Sequence, residues 1–474
     1  MNTQSTNETF DLAIIGAGSA AKAAAMEARR QGKSVVMIER GHPGGTCLNV
    51  GCVPSKHLLA AAAARAGAHS SRFPGITSSA GPVDLASLIA DKDAFISELR
   101  ERDHVQGTAQ AGITLRRGTA SFSGADDTGV SLNLSGDDGQ TGKITAHHVL
   151  IATGAQPFVP PIPGIGTVDY LTSSTSMSTP ELPATIIVVG ANAIGLEQAQ
   201  LFSRLGTKVT VIEVADRIAP FEDPAISAAL REALAAEDIE ILTAANLTQV
   251  QPDDAGILAT VETTGTTIRI TAERLLIATG RRPVTDELEL ETVGVAVGTR
   301  GEVIVDEHLR TSHPRIWAAG DVTGHPQFVY VAATQGTTAV SNAFGEAPRA
   351  VDYTVLPRVT FTSPAVASVG LTPALAAAAA GQPFETRELP LAFVPRALIN
   401  RKTSGVLKLV SDQATGRLLG AHMVGEEAGE VITSATYALA AGLTVQQLAT
   451  TWAPFLTMAE ALRIAAQMPP ARQN

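Results

Sequence analysis

The sequence predicts an α/β fold: two Rossmann-like dinucleotide-binding domains and a C-terminal α+β domain. Three observations support this prediction. A strand–glycine turn–helix–strand pattern opens the chain, it returns near residue 185, and the composition changes after about residue 350. At 474 residues the chain is too long for a single hydrophobic core, and 45% hydrophobic residues are enough to fill several.

The first pattern is a βαβ unit of about forty residues. Its parts are the strand Asp11–Ile15, the turn Gly16–Ala21, the helix Ala21–Gln31 and the strand Ser34–Ile38. Glycines in such a turn let the backbone approach a pyrophosphate, while the helix N-terminus offers free N–H groups. The spacing therefore predicts a dinucleotide site.

Individual positions of this unit have separate predicted roles. Gly16 and Gly18 form the close turn, and Ala21 takes the third glycine position, which only sets helix–strand packing. Glu39 stands at the end of the second strand, where a carboxylate accepts hydrogen bonds from ribose hydroxyls. We assign Arg40, the next residue, to the same cofactor site.

The second βαβ unit matches the first less closely. Thr185–Val189 is a strand, Gly190-Ala-Asn192-Ala-Ile194-Gly195 is the turn, a helix runs to about Leu205, and Lys208–Ile212 is the next strand. Asn192 replaces the glycine that meets phosphate, although Asn tolerates unusual backbone angles. We therefore predict a second dinucleotide site at Gly190, Asn192, Ile194 and Gly195.

The residues after the second unit leave the choice of nicotinamide cofactor open. Glu213 at the strand end favours an unphosphorylated ribose, hence NADH. Arg217 lies close in sequence and can receive the 2′-phosphate of NADPH.

Two near-identical segments and one turn extend the predicted sites. Leu150–Gly154 and Leu276–Gly280 each end a strand just after a nucleotide unit, and we assign Ala152, Thr153, Gly154 and Gly280 to cofactor binding. A strand then runs into Gly320-Asp321, where the turn can present Asp321 to the ribityl chain of a flavin. The Pro-rich stretch Pro157–Pro163 is interpreted as a linker.

The only two cysteines, Cys47 and Cys52, lie five residues apart directly after the first unit. On a regular helix such residues point about 140° apart, but Gly51 and Pro54 suggest an irregular helix entry that can bring the sulfurs together. A thiol near a helix N-terminus is partly ionised, and the thiolate is the reactive form. We favour redox chemistry over two buried structural thiols or a metal pair, because C-x₄-C without further ligands makes a poor zinc site.

Charge and hydropathy exclude several partners. The formal charge of −11 argues against nucleic acid or an anionic membrane, both of which need a basic patch. No signal-peptide pattern opens the chain and no apolar run reaches about 18 residues. We therefore expect a cytoplasmic protein whose thiols are kept reduced, with no resident metal.

With these motifs in family order along almost the whole chain, the sequence resembles the FAD-dependent pyridine nucleotide–disulfide oxidoreductases of the glutathione reductase type. The resemblance implies FAD, NADH or NADPH, and a homodimer. It implies a discontinuous FAD-binding domain at 1–157 and 284–349, an NAD(P)H-binding domain at 158–283 and a dimerisation domain at 350–474. It also implies that Gly45 and Thr46, in the segment Gly44–Lys56, bind the cofactor.

The resemblance also implies catalytic roles. NAD(P)H reduces FAD, which reduces the Cys47–Cys52 disulfide; Cys52 is the flavin-proximal thiolate and Cys47 attacks substrate. Lys56 and Glu197 match the family's ion pair near the flavin, whereas Ala193 replaces the aromatic gate over the nicotinamide pocket. Phe455, in the segment Thr451–Ala466, is expected to face the partner subunit's active site.

Departures from the family bear on the substrate. Ala453 occupies the position of the histidine that glutathione reductase and lipoamide dehydrogenase use as general acid–base. The segment is instead similar to that of mercuric reductase, but the sequence ends Pro469–Asn474 without that enzyme's cysteine pair. Two tyrosines of mercuric reductase correspond to His104 and Phe455. His104 is either a replacement acid or an ordinary exposed histidine.

From these departures we expect a reductase for a small-molecule disulfide, either of the ergothioneine type or of another low-molecular-weight thiol. The ergothioneine thiolate leaves as a thione and needs no proton, so an acid is dispensable. The alternative is a reductase for mercuric or another soft metal ion. A quinone or oxygen diaphorase and a lipoamide dehydrogenase-like subunit are less favoured.

Overall fold

The computed structural model describes residues 7–69, 71–136, 141–379 and 383–471. The predicted first domain begins at residue 1 and the predicted third domain ends at residue 474. Residues 1–6 and 472–474 therefore lie outside the described part of the chain.

Twenty-two strands are formed by the described residues. In chain order they are β1 (Asn7–Ile15), β2 (Val35–Glu39), β3 (Thr114–Arg117), β4 (Thr119–Ala125), β5 (Val130–Ser135), β6 (Thr141–Ile151), β7 (Ala155–Pro157), β8 (Tyr170–Thr172), β9 (Thr185–Val189), β10 (Lys208–Ile212), β11 (Glu240–Leu242), β12 (Asn246–Asp253), β13 (Gly256–Thr263), β14 (Thr266–Ala272), β15 (Arg274–Ile277), β16 (Arg281–Pro283), β17 (Ile316–Ala318), β18 (Arg358–Thr360), β19 (Ala365–Gly370), β20 (Phe384–Pro390), β21 (Val406–Asp412) and β22 (Leu418–Gly425).

Thirteen α-helices occur in the same part of the chain, together with one π-helix, Arg100–Gln106, and five short 3₁₀ turns. The α-helices are α1 (Ser19–Arg30), α2 (Gly45–Asn49), α3 (Cys52–His69), α4 (Leu85–Leu99), α5 (Gly107–Gln110), α6 (Ala193–Leu205), α7 (Pro224–Ala235), α8 (Val329–Phe344), α9 (Pro373–Ala378), α10 (Pro395–Asn400), α11 (Ala428–Ala440), α12 (Val445–Thr450) and α13 (Glu460–Gln467).

The chain forms two compact units, and the first holds residues 7–57, 87–158 and 280–351. Its main sheet has the strand order β3-β2-β1-β6-β5-β4, with β17 also paired to β6. Strands β3, β2, β1, β6 and β17 are parallel, whereas β4 and β5 continue the sheet as an antiparallel meander. A separate antiparallel pair joins β7 to β16.

This sheet is covered on both faces, as expected for parallel strands joined by helices. Leu12 and Ile14 of β1 pack into one core with α1 and α8, whereas Ala13 and Ile15 pack into a second core on the opposite face. Strand β1 begins at Asn7 rather than at the predicted Asp11, because residues 7–10 pair with β6. Helix α1 begins at Ser19 rather than Ala21.

The second unit holds residues 58–86, 159–279 and 352–471. It contains a parallel sheet of order β11-β10-β9-β15-β8, an antiparallel sheet β12-β13-β14 and an antiparallel sheet β18-β19-β22-β21-β20. The predicted strands Thr185–Val189 and Lys208–Ile212 coincide with β9 and β10. Val366, Val406 and Val424 of the C-terminal sheet share a core with residues of β9 and α6.

The predicted fold class is confirmed: two nucleotide-type βαβ units and a C-terminal antiparallel sheet with helices. The predicted domain boundaries stay predictions. No helix in the described ranges is both long enough and apolar enough to cross a bilayer.

Candidate active site

The two glycine turns have the same backbone construction, 174 residues apart. Gly16 has φ +111°, and a Cβ there would lie 2.4 Å from the Ala152 carbonyl oxygen. Gly190 has φ +102°, and a Cβ there would lie 2.6 Å from the Ala278 carbonyl oxygen. Each turn thus needs glycine at its first position, because a side chain would collide with the end of the neighbouring strand.

A carboxylate braces the first turn. Glu39 accepts a hydrogen bond from the backbone N–H of Ala17 at 2.9 Å through Oε2, and from that of Gly41 at 2.7 Å through Oε1. The turn and the loop after β2 are therefore held by one side chain. Arg40 turns away from this brace and pairs with Glu287 at 2.8 Å.

The second turn is braced in the same way by Glu213, whose side chain is buried. Its Oε2 accepts from the Ala191 N–H at 2.6 Å and its Oε1 from the Ala215 N–H at 2.8 Å. Arg217 donates to the Pro220 carbonyl at 2.8 Å. Glu213 and Arg217, which we expect to contact the ribose or its phosphate, therefore already have hydrogen-bond partners within their own loop.

The helix that follows each turn has an N-terminus without a side-chain cap. Gly18 precedes α1 and Asn192 precedes α6, and neither makes a side-chain cap hydrogen bond. The first N–H groups of both helices are thus suited to oxygen acceptors on a ligand, and the helix dipole favours negative charge there. The residues present fit the pyrophosphate of FAD at α1 and of NAD(P)H at α6.

The cysteine loop approaches the first turn closely. A Cβ on Gly45 would lie 2.6 Å from the Gly18 Cα, and Gly45 has φ +62°, so only glycine suits this position. Cys47 lies in α2, and Cys52 is the first residue of α3. The helix is interrupted between Asn49 and Cys52, which is the irregular entry that Gly51 and Pro54 predict.

The interruption brings the two thiols into contact. Cys52 is exposed and Cys47 is half-buried. The hydrogen bond with the Cys52 side chain, burial and the charge of Cys52 raise the pKa of Cys47, whereas the Cys52 backbone N–H and Lys56 lower it. The contact therefore disfavours a thiolate on Cys47, and the α3 N-terminus favours negative charge at Cys52, the first residue of that helix.

Arg281 is a half-buried cation at this site that the sequence interpretation missed. Its Nη2 donates to the Ala155 carbonyl and, at 3.3 Å, to the Thr46 hydroxyl, while Nε lies 3.9 Å from the Asp321 carboxylate. Burial lowers the pKa of Arg281, and the negative charges of Asp321 and Cys52 raise it. Burial also raises the pKa of Asp321, which Arg281 opposes. Arg281 thus links the cysteine loop to the predicted ribityl contact.

One signal in the sequence points to Arg281. The two Ala-Thr-Gly segments are nearly identical, yet Ala155 follows the first and Arg281 follows the second. A cation in place of a small apolar residue is the difference between the two copies.

The remaining predicted cofactor residues lie in backbone-stabilised loops. The Ala152 N–H donates to the Ile15 carbonyl at 2.9 Å, and the Thr153 hydroxyl donates to the Val284 carbonyl at 2.6 Å. The carbonyls of Gly154 and Gly280 accept from the N–H groups of Val284 and Phe158 at 3.0 and 2.9 Å. The Gly320 N–H donates to Gln335 Oε1 at 2.7 Å. These contacts order the loops around the first turn.

Two predicted catalytic residues, Glu197 and Phe455, belong to a different unit from the thiols, whereas Lys56 belongs to the same one. Glu197 is buried in α6 of the second unit, where its Oε1 accepts from the Phe361 N–H at 2.9 Å. Phe455 also belongs to the second unit and is 72% exposed. Lys56 belongs to the first unit. The Lys56–Glu197 pair and the role of Phe455 stay predictions.

His104 lies in the π-helix of the first unit and is half-buried. Burial and the charge of Lys22 lower the pKa of His104, against the opposing effect of Asp103. Its imidazole is therefore neutral near pH 7, which weakens it as a proton donor there.

Two braced nucleotide turns and a contacting thiol pair beside one of them define a class: flavoproteins that pass electrons from a nicotinamide cofactor to a dithiol. The family described as pyridine nucleotide-disulphide oxidoreductase matches residues 10–336, and its dimerisation domain matches residues 356–466. The chain belongs to this family. It is a flavoprotein oxidoreductase that uses FAD and NAD(P)H, as the sequence predicts.

Individual relatives are similar over almost the whole chain. The mercuric reductase of Streptomyces lividans is 54% identical over 97% of this chain and 96% of the relative. That of Staphylococcus aureus is 44% identical over 96% of this chain and 82% of the relative. Among solved structures, the Cu(II) complex of the HOCl-induced flavoprotein disulfide reductase RclA from Escherichia coli has a TM-score of 0.86 at 30% identity, covering 98% of this chain and 99% of that one. LpdA from Mycobacterium tuberculosis has a TM-score of 0.86 at 28% identity, covering 97% of this chain and 99% of that one.

Proposed function

We propose that the protein reduces Hg(II), with electrons from NAD(P)H, at the Cys47–Cys52 pair. The observation that carries this proposal is the contact between one exposed and one half-buried thiol at the start of α3. Thiolates are soft ligands that select soft metal ions, and two adjacent thiolates suit an ion that prefers two sulfur ligands. The mercuric reductases that are 40–54% identical over at least 96% of this chain support the choice of metal.

The residues of this chain have distinct parts in the proposed reaction. Cys52 supplies the first thiolate, and Cys47 gives up its proton when the second sulfur binds the metal ion. Lys56 favours the charged form of Cys47. The chemistry that FAD supplies when bound is the transfer of two electrons from NAD(P)H to this site. Overall, NAD(P)H and Hg²⁺ give NAD(P)⁺, H⁺ and Hg⁰.

A small-molecule disulfide is the second candidate acceptor, and it is the one that the sequence interpretation favours. Ala453 at the family's histidine position supports it, because a thiolate whose charge is delocalised into its ring can leave without a side-chain acid and take up its proton from solvent. The 30% identity to RclA, a flavoprotein disulfide reductase, supports it as well. In this reaction Cys47 attacks one sulfur of the disulfide, and NAD(P)H, H⁺ and RSSR give NAD(P)⁺ and two RSH.

The two candidates are separated by measuring NAD(P)H oxidation with a panel of acceptors. The panel contains Hg²⁺ complexed by excess cysteine, ergothioneine disulfide, glutathione disulfide and lipoamide. The mercury proposal expects one Hg⁰ released as vapour for each NAD(P)H oxidised. Matched assays with Cys47→Ser and Cys52→Ser identify turnover that does not use the thiols.

Turnover with ergothioneine disulfide but not with Hg²⁺ would replace the first proposal with the second. If neither acceptor is reduced and quinones or oxygen are, both proposals fail. The same assay with NADH and NADPH decides the nicotinamide cofactor.

We also propose a cytoplasmic homodimer. The dimerisation-domain match at residues 356–466 supports the dimer, and dependence on NAD(P)H supports the location. In this proposal Phe455 reaches the partner subunit's Cys47.

A further inference from the structure

Asn49, between the two cysteines, holds the loop that leads into α2. Its amide Nδ2 donates to the carbonyls of His42, Pro43 and Gly45 at 3.3, 3.2 and 2.9 Å. A single side chain thus gathers three backbone carbonyls just before Cys47. The position of Cys47 therefore depends on the orientation of the Asn49 amide.

Arg100 fixes that orientation. Its Nε donates to Asn49 Oδ1 at 2.9 Å, and both side chains are half-buried. An amide flipped by 180° would direct N–H groups at the guanidinium, which has no acceptor. The cation thus selects the rotamer whose Nδ2 faces the three carbonyls, and its charge strengthens the hydrogen bond.

Arg100 is itself held by an unusual element. It is the first residue of the π-helix Arg100–Gln106, which contains no buried residue. Lys22 of α1 donates to the Asp103 carbonyl of this π-helix at 2.9 Å. The π-helix is therefore connected to α1 through Lys22 and to the cysteine loop through Arg100. Such helices often occur at functional sites.

We propose that Arg100 is a positioning residue for the dithiol and acts through Asn49. By orienting the amide it keeps the Cys47 sulfur in contact with Cys52, which raises the effective concentration of one sulfur at the other. Without it the loop before Cys47 is released and the sulfurs separate more often. The disulfide form, which needs both sulfurs together, is then disfavoured relative to the dithiol. This inference does not depend on which acceptor the pair reduces.

The test compares Arg100→Met with Arg102→Met in the full-length holoenzyme. Arg102 lies in the same π-helix, and its guanidinium makes two hydrogen bonds to the exposed Asp103 side chain, so its replacement removes the same charge without touching Asn49. The dithiol–disulfide equilibrium of Cys47 and Cys52 is measured in glutathione buffers by alkylation and mass spectrometry. The rate of Cys47 alkylation is recorded against pH in the reduced protein.

The expected result is a roughly tenfold shift of the equilibrium toward the dithiol in Arg100→Met, which corresponds to about 30 mV. Alkylation of Cys47 should accelerate near neutral pH, since the contact that holds its proton is weakened. Arg102→Met should match the unaltered protein in both measurements. An unchanged equilibrium in Arg100→Met, or an equal shift in Arg102→Met, would overturn the proposal.

Asn49→Asp supplies a second test that does not depend on recovery of Arg100→Met. The carboxylate keeps a partner for Arg100 but cannot donate to the three carbonyls. The proposal expects the same shift toward the dithiol, and a wild-type equilibrium would refute it. In the double variant Asn49→Asp/Arg100→Met the two effects should not add, because both residues act through one contact.

Discussion

At the scale of single residues, the cysteine pair places a half-buried thiol against an exposed one. The contact with Cys52 and burial raise the pKa of Cys47. A negative charge on both sulfurs at once is costly because like charges would then share a small volume. A ligand that binds both sulfurs, or oxidation to a disulfide, removes that cost.

We expect Cys47→Ser and Cys52→Ser each to lower acceptor reduction by on the order of 10³-fold, since a hydroxyl replaces a redox-active sulfur. Reduction of the flavin by NAD(P)H should persist, because it does not use the thiols. Anaerobic stopped-flow spectra separate the two steps. Full acceptor turnover in Cys52→Ser would show that the pair is not the electron donor.

Arg281 should matter for stability as well as for the site. Arg281→Met leaves the Asp321 carboxylate partly buried without its cation, and we expect a loss of about 1–3 kcal/mol in the free energy of unfolding, less than for a fully buried pair. Asp321→Asn in the same background should recover part of the loss. Denaturant unfolding of both variants measures this, and additive losses would contradict the pairing.

Which residues the sequence reveals depends on how far apart the partners lie along the chain. Cys47, Cys52, Gly16 and Gly18 follow local spacing rules, so their pattern is visible. Arg281 meets Thr46 across 235 positions, and Arg100 meets Asn49 across 51. No periodicity links such pairs, and only the fold brings them together.

At the scale of elements, the two βαβ units share one turn structure. Its glutamate is half-buried in the first unit and buried in the second. Both turns place glycine against a strand-end carbonyl and brace it with a glutamate that accepts two backbone N–H groups. The strand and helix bounds of the second unit could be predicted almost to the residue. The hydrogen bonds of the two glutamates to the backbone could not be predicted, because an acid at that position is also expected to bind ribose.

Glu39→Ala and Glu213→Ala form a matched pair of tests. Each loses two charge-assisted hydrogen bonds, and we expect a cost of about 1.5–3 kcal/mol in unfolding free energy. Glu39→Ala should lower FAD content and leave the affinity for NAD(P)H unchanged in the flavin-loaded fraction. Glu213→Ala should raise KM for NAD(P)H while FAD content stays normal. Equal effects of both variants on both cofactors would contradict separate sites.

Strand β6 introduces a pH dependence through His148. The Trp317 Nε1–H donates to His148 Nδ1 at 3.3 Å, and burial lowers the pKa of His148 to about 4. Because the unfolded chain takes up this proton near pH 6.5, stability should fall as the pH drops from about 6.5 to 4. His148→Asn keeps an acceptor without titrating, so its unfolding free energy should decline less over this window. An identical decline would assign the loss to other groups.

At the scale of the whole molecule, the C-terminal region leaves large apolar side chains exposed. Trp452, Tyr437 and Phe455 are 97%, 72% and 72% exposed, and all lie within the matched dimerisation domain. We expect these side chains to lie at the proposed dimer interface, because they belong to the matched dimerisation domain. The sequence alone predicted the dimer only through family resemblance, since exposure is a property of the folded chain.

Trp452→Glu with Phe455→Glu should convert the dimer to a monomer, because two carboxylates would be buried at the interface. Sedimentation velocity measures the change, and acceptor reduction should fall while NAD(P)H still reduces the flavin. Phe221→Glu is the control, since Phe221 is 74% exposed but lies outside the matched domain. A dimer that persists in the double variant would move the interface elsewhere.

The brace at Glu213 has a consequence for redesign of coenzyme preference. An acid at the end of this strand disfavours a 2′-phosphate, so it is the obvious residue to replace. Here that acid is buried and accepts hydrogen bonds from two backbone amides. Its replacement would therefore disorder the loop as well as change the coenzyme selectivity. Engineers who want to switch the coenzyme should begin at the exposed neighbour Val214, which is 71% accessible, and leave the carboxylate in place.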